Sequence, residues 1–179
     1  MPEDRSPFYH GWFFHKLFDP QLDEGREAVL ELIPEGSTVL DIACGTGQLC
    51  FGLRSRRACR VVGVDLSLRM LRFAERSNPY TDVTFLHRDA TDLEGILDGA
   101  YDFATLLFAF LDLPSHKQVR LLREALRVAN RLIIGDARVP LPRNAYARGL
   151  RIVEATIGRN HYADFRRFLP RGGIPRHLA

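Results

Sequence analysis

The chain has 179 residues, the length of one domain with room for a substantial core. With 46% apolar and 26% charged residues it composes like a globular protein, which argues against disorder. Its longest uncharged apolar stretch, residues 103–111, is about half a membrane span, which argues against a transmembrane helix. Residues 1–5 lead into aromatics rather than a signal-peptide core, so a soluble, cytoplasmic protein is expected. The formal charge of +3 is uneven, with +7 in residues 138–179 and −4 in residues 1–137. The nine C-terminal arginines alternate with apolar residues and fit a solvated helix face as well as an anionic partner. Cys44, Cys50 and Cys59 form neither an even secreted set nor a C-x-x-C pair, so a reducing compartment and no metal site are expected.

Residues 1–20 open the chain with Phe8, Tyr9, Trp12, Phe13, Phe14 and Phe18, aromatics suited to cover a core, close over a site or anchor at an interface. A helix is expected over residues 21–33, with Val29, Leu30 and Ile33 on one face, before Pro34-Glu35-Gly36-Ser37 breaks it. Short apolar runs then alternate with helical stretches. Strands are expected at 38–43, 61–65, 83–87, 103–108 and 131–136, and helices at 48–56, 67–77, 91–98 and 115–128, with Ser67 as an N-cap. This alternation calls for a parallel sheet with helices on both faces, an α/β, doubly wound, Rossmann-like architecture. Two further helices are expected at 143–157 and 160–169, with no strand signal after Asp136. The expected organisation is one domain: residues 1–20 as an aromatic lid segment, 21–137 as the cofactor-binding core, and 138–179 as an Arg-rich helical segment expected to be C-terminally incomplete.

The chemistry concentrates in Val39-Leu40-Asp41-Ile42-Ala43-Cys44-Gly45-Thr46-Gly47, a strand that carries an acid into a glycine turn before a helix. In open α/β sheets this turn lies at the carboxyl edge, where ligands bind and glycines admit close backbone approach. Asp65 closes the next strand, placed to accept both hydroxyls of a ribose. The third glycine of a dinucleotide fingerprint is missing, and Asp41 is unfavourable beside a pyrophosphate but favourable beside an ammonium group. The expected ligand carries a ribose and a cationic end.

These residues resemble the motifs of the class I S-adenosylmethionine-dependent methyltransferases. The first motif departs only at Ala43, where glycine is usual. Gly63-Val64-Asp65-Leu66-Ser67 with Met70-Leu71 resembles the second, Arg88-Asp89-Ala90 the loop after the third strand, and Tyr101-Asp102-Phe103 the start of the fourth. The resemblance implies S-adenosyl-L-methionine as cofactor and S-adenosyl-L-homocysteine as product. It implies that Asp41 and Gly45 line the methionine end, with Ala43 and Gly47 also binding the cofactor, Asp65 the ribose, Leu66 and Met70 the adenine ring, and Asp89 with Ala90 the adenine edge. Phe108 is implied to flank the cofactor, and Tyr9 is expected to contact it from the opening segment. Asp102, at the other end of its strand, is expected to be structural.

A catalytic base is not required by this chemistry; His161 and His10 are the candidates by type and place, with His15 and Asp112 beside them. No Asn/Asp-Pro-Pro run follows the fourth strand, where Leu107-Phe108-Ala109-Phe110 stands. That segment resembles small-molecule and quinone-biosynthesis methyltransferases, implying a small, hydrophobic or lipid-like acceptor. The alternatives are a nucleic-acid methyltransferase or binder using the arginines, and a non-catalytic S-adenosylmethionine-binding domain. On the first reading nucleic acid is the disfavoured partner and peripheral membrane contact is compatible. The family sheet has seven strands and this chain supplies five, so an exposed fifth-strand edge, open to a second copy, is expected.

Overall fold

In a computed structural model the structure describes residues 15–16, 22–110 and 113–135. The elements in chain order are α1 (Asp23–Leu32), β1 (Thr38–Ile42), α2 (Gln48–Arg57), β2 (Arg60–Asp65), α3 (Leu68–Ser77), β3 (Thr84–His87), β4 (Tyr101–Leu107), α4 (Ser115–Val128) and β5 (Ala129–Gly135). The strands form one parallel sheet in the order β3-β2-β1-β4-β5. The order reverses beside β1, which makes its carboxyl end the switch point where a crevice opens.

The sheet is buried on both faces, which is why β1 and β4 are apolar on successive residues. On one face Leu40, Ile42, Ala104 and Leu106 meet Leu121, Ala125 and Val128 of α4. On the other, Val39, Val61 and Phe103 meet Val29 and Leu30 of α1 and Leu49, Cys50 and Leu53 of α2. Each large aliphatic side chain taken out of water here contributes about 1.5 to 3 kcal/mol, so neither helix layer can be removed without exposing a core. Ser67 caps α3 by accepting a hydrogen bond from the Met70 amide, as its position predicts. Asp102 holds the amino edge: its Oδ2 accepts from the Thr38 amide at 2.8 Å and the Thr38 hydroxyl at 2.7 Å. That is the structural role expected of it.

One expected helix does not form. Residues 91–98 are a run of turns. Gly95 sits at φ +86°, which interrupts a helix at its midpoint. The backbone groups find partners on α4 instead: Arg127 donates to the Leu93 and Ile96 carbonyls, and Glu124 accepts from the Leu93 amide. Leu93 is thereby fixed as a fully buried plug in the α4 core. The β3-to-β4 crossover is therefore turn-rich rather than helical.

The first strand ends one residue earlier than its apolar pattern because Ala43 adopts φ +56°. A left-handed alanine costs about 1 kcal/mol, partly offset because glycine loses more backbone freedom on folding. Ala43→Gly is therefore expected to leave the stability unchanged or raise it by up to about 1 kcal/mol. A urea midpoint that falls substantially in this variant contradicts the strain assignment. Among the described residues β5 is the last strand of its sheet, and its Leu132, Ile133 and Ile134 are half-buried. No helix among them is long and apolar enough to cross a membrane.

Candidate functional site

The crevice is built from the carboxyl ends of β1, β2 and β4. After Ala43 the Cys44 amide donates to the Val64 carbonyl, and the Gly47 amide turns back to the Cys44 carbonyl at 2.9 Å. Gly45 at φ +53° and Gly47 at φ +80° both need the left-handed region, and Gly47 leads directly into α2. A Cβ on Gly45 would meet nothing within 4 Å, so the turn presents bare backbone to open space. A Cβ on Gly47 would lie 2.8 Å from the Phe85 ring and 3.2 Å from the Ala74 Cβ. The first glycine admits a ligand, and the second lets α2 pack against α3 and β3.

Asp65 stands beside this turn. Its Oδ2 accepts from the Gly45 amide and its Oδ1 from the Ser67 amide, both at 2.8 Å. Burial raises its pKa above the usual carboxylate range, while the Ser67, Gly45 and Leu66 amides pull it back. Each oxygen of a carboxylate has two lone pairs, and the Gly45, Ser67 and Leu66 amides do not use all four, so Asp65 keeps acceptor capacity for a ribose hydroxyl. The backbone bonds fix the orientation of the carboxylate.

Asp41 lies deeper than the sequence implies. It is 3% exposed, with Oδ1 accepting from the Thr105 hydroxyl at 2.7 Å and Oδ2 from the Cys50 thiol at 3.3 Å. The carboxylate is thus almost wholly enclosed, held between Thr105 of β4 and Cys50 of α2. Burial pushes its pKa up to about 6 against the Thr105 and Cys50 hydrogen bonds and the charge of Arg26, with Asp65 adding to the rise. Because the folded-state value exceeds the unfolded one, bound proton stabilises the fold below about pH 4, and that stabilisation is lost as pH rises through about 6. At neutral pH the ionised group costs on the order of 3 kcal/mol relative to acid conditions. Stability does not explain its presence.

The remaining candidates fall around these two acids. Asp89 Oδ1 accepts from the Thr91 amide at 2.9 Å and hydroxyl at 2.8 Å, and Oδ2 keeps the capacity to accept from a further donor. Burial raises its pKa, but the two Thr91 bonds outweigh that and the net shift is downward, so it is an acceptor at neutral pH. The Leu66 carbonyl lies 2.9 Å from His87 Nε2; Met70 is buried and Ala90 half-buried against the α4 core. Phe108 has φ +56°, strained for an aromatic, and its ring rests on Gly25, where a Cβ would approach to 2.5 Å. The first turn of α1 thereby covers the β4 side of the crevice.

His15 stacks near Phe73 of α3, with ring centroids 5.3 Å apart. Tyr9, His10, Asp112 and His161 lie outside the described residues. The Cys44 thiol is drawn down by its contact with Cys50, but burial and the two aspartates lift it to about 11, so it is no nucleophile at neutral pH. Thr105, Cys50 and Arg26 were not singled out by sequence reasoning. A lone hydroxyl inside the apolar run of β4 was the available signal for Thr105.

Donor set and shape fit an adenosyl cofactor. The open backbone at Gly45, the oriented lone pairs of Asp65, the acceptor Asp89 and the negative charge beneath the turn match, in order, a close-packed chain, a ribose, an exocyclic amine and a cationic end.

Comparison with known proteins agrees with that geometry. A family model described as a methyltransferase domain matches residues 39–131. Demethylmenaquinone methyltransferase from Bacillus licheniformis is 31% identical over 143 residues, which is 72% of this chain and 60% of that protein. The bifunctional methionine biosynthesis protein MetXA/MetW from Rhodopirellula baltica is 34% identical over 151 residues, 79% of this chain and 22% of that protein. The chain therefore spans less than two thirds of either relative. A crystal structure of a SAM-dependent methyltransferase from Aquifex aeolicus superposes with a TM-score of 0.62 at 24% identity, covering 83% of this chain and 87% of that one. That likeness supports the fold.

Proposed function

The chain belongs to the class I S-adenosylmethionine-dependent methyltransferases, and on that premise we propose that it methylates a small, hydrophobic or lipid-like acceptor. The observation that carries the cofactor half of this reading is Asp65, a carboxylate at the end of β2 clamped by the Gly45 and Ser67 amides beside the glycine turn. The acceptor half is supported by the apolar Leu107-Phe108-Ala109-Phe110 segment after β4 and by the quinone-type relative. The proposed setting is the cytoplasm, with peripheral contact to a membrane where the acceptor is lipid-borne.

When bound, S-adenosylmethionine supplies a methyl group already activated on a sulfonium. The protein's part is alignment and exclusion of water. Asp65 orients the ribose and Asp89 the adenine edge. The bare turn at Gly45 lets the amino-acid end approach closely, and the Asp41 charge beneath it favours the ammonium. Phe108, braced on Gly25 at the end of β4, would flank the donor. Asp65, Asp89 and the Gly45 turn would hold the donor so that an acceptor could approach in line with its activated methyl, and the chain would need to supply no more than that alignment.

Incubation with S-adenosylmethionine carrying a tritiated methyl group tests this reading. A prenylated naphthoquinol, a catechol, ribosomal RNA and duplex DNA serve as acceptors. Label is expected in the quinol or catechol. Label confined to nucleic acid, with steeply salt-dependent binding, replaces the acceptor assignment. Cofactor binding without turnover on a broad panel replaces it with a non-catalytic binding domain.

A further inference from the structure

We infer that Thr105 is a positioning residue: it fixes the charge and direction of Asp41 beneath the cofactor turn and so sets the pH range over which the crevice accepts a cationic ligand. The inference rests on the cofactor reading above. Thr105 is fully buried in a strand whose neighbours Phe103, Ala104 and Leu106 are apolar, and valine would fill the same volume. A buried hydroxyl without a partner is costly, so its presence calls for one. The partner is Asp41, directly opposite in the β1–β4 register, with the hydroxyl 2.7 Å from Oδ1.

The other flank of Asp41 is Gly63, its register partner on β2, where a Cβ would lie 2.8 Å from both Cys44 Sγ and the Phe85 ring. No side chain from β2 at that position competes with Thr105. Among the described residues the donors to the carboxylate are Thr105 and the Cys50 thiol at 3.3 Å, and a thiol is a weak donor. The charged and titratable groups around it are Arg26 of α1, which favours the ionised form, Asp65 of β2, which opposes it, and the Cys50 and Cys44 thiols from α2 and the turn. Without the Thr105 hydroxyl, burial opposes the charge with one weak donor left, and Asp41 keeps its proton to higher pH. A protonated Asp41 offers an ammonium group no charge.

Calorimetric titration with S-adenosylhomocysteine between about pH 5.5 and 8.5 tests this in wild type, Thr105→Val, Thr105→Ala and Thr105→Ser. Wild-type affinity is expected to fall about twofold from pH 8 to pH 6 through Asp41, and that of the two apolar variants about tenfold, their midpoint moved up by about one pH unit. Thr105→Ser is expected to restore the wild-type profile. Ionisation of the ligand and of Asp65 is common to all four proteins. An apolar variant whose profile runs parallel to wild type, even at uniformly lower affinity, overturns the inference and leaves the cofactor reading standing. Folded wild type that binds no S-adenosylhomocysteine at any pH overturns the cofactor reading, and the inference with it. Carbon-13 titration of the Asp41 carboxyl in the ligand-free proteins is the second readout: the same upward shift is expected, and unchanged titration overturns the inference.

Discussion

Replacing Asp65 with alanine is expected to weaken S-adenosylhomocysteine binding by about 2 to 4 kcal/mol, roughly 30- to 1000-fold. Two losses combine. Hydrogen bonds from two ribose hydroxyls to a charged acceptor disappear, and the Gly45 and Ser67 amides lose the acceptor that holds the turn and the start of α3 in place. Asp65→Asn separates the two, because its remaining carbonyl oxygen serves one backbone amide but carries no charge. It should fall between alanine and wild type. Calorimetry gives the affinities and a thermal melt verifies that the variants fold. Wild-type affinity in folded Asp65→Ala would count decisively against the ribose assignment.

Gly47→Ala is expected to destabilise the fold by about 2 to 5 kcal/mol. The new methyl enters a left-handed residue at φ +80° and lands 2.8 Å from the Phe85 ring and 3.2 Å from the Ala74 Cβ. The strain contributes about 1 to 2 kcal/mol and the overpacking about 1 to 3. Neither contact relaxes freely, since Phe85 also packs edge-on against Phe51 at 6.0 Å and Ala74 is fully buried. Gly45→Ala is the control. It carries the same backbone strain without a clash, so it should melt closer to wild type while still obstructing the ligand. Equal denaturation midpoints for the two variants contradict the packing argument.

The sequence carried the sheet, the glycine turn and the two strand-end acids because each rests on a local signal. Buried parallel strands leave continuous apolar runs, and left-handed turns leave glycines. Local pattern failed over residues 91–98, where the partners of the backbone come from Glu124 and Arg127, some thirty residues later. Depth is likewise not a local property: Asp41 is almost wholly buried, with hydrogen bonds from Thr105 on a strand 64 positions away and from Cys50 on the next helix. The strained backbone of Phe108 had no sequence signal either, since aromatics ordinarily avoid that region. Gly25, a glycine inside a helix that leaves room for the Phe108 ring, was a clue readable only with the structure in hand.

The most direct measurement is a crystal structure of the chain soaked with S-adenosylhomocysteine. Both ribose hydroxyls are expected within about 3 Å of the Asp65 carboxylate, with the amino-acid end lying over Gly45 and toward Asp41. Adenosine bound away from Asp65, or a diphosphate lying across the Gly45–Gly47 turn in its place, would contradict that arrangement.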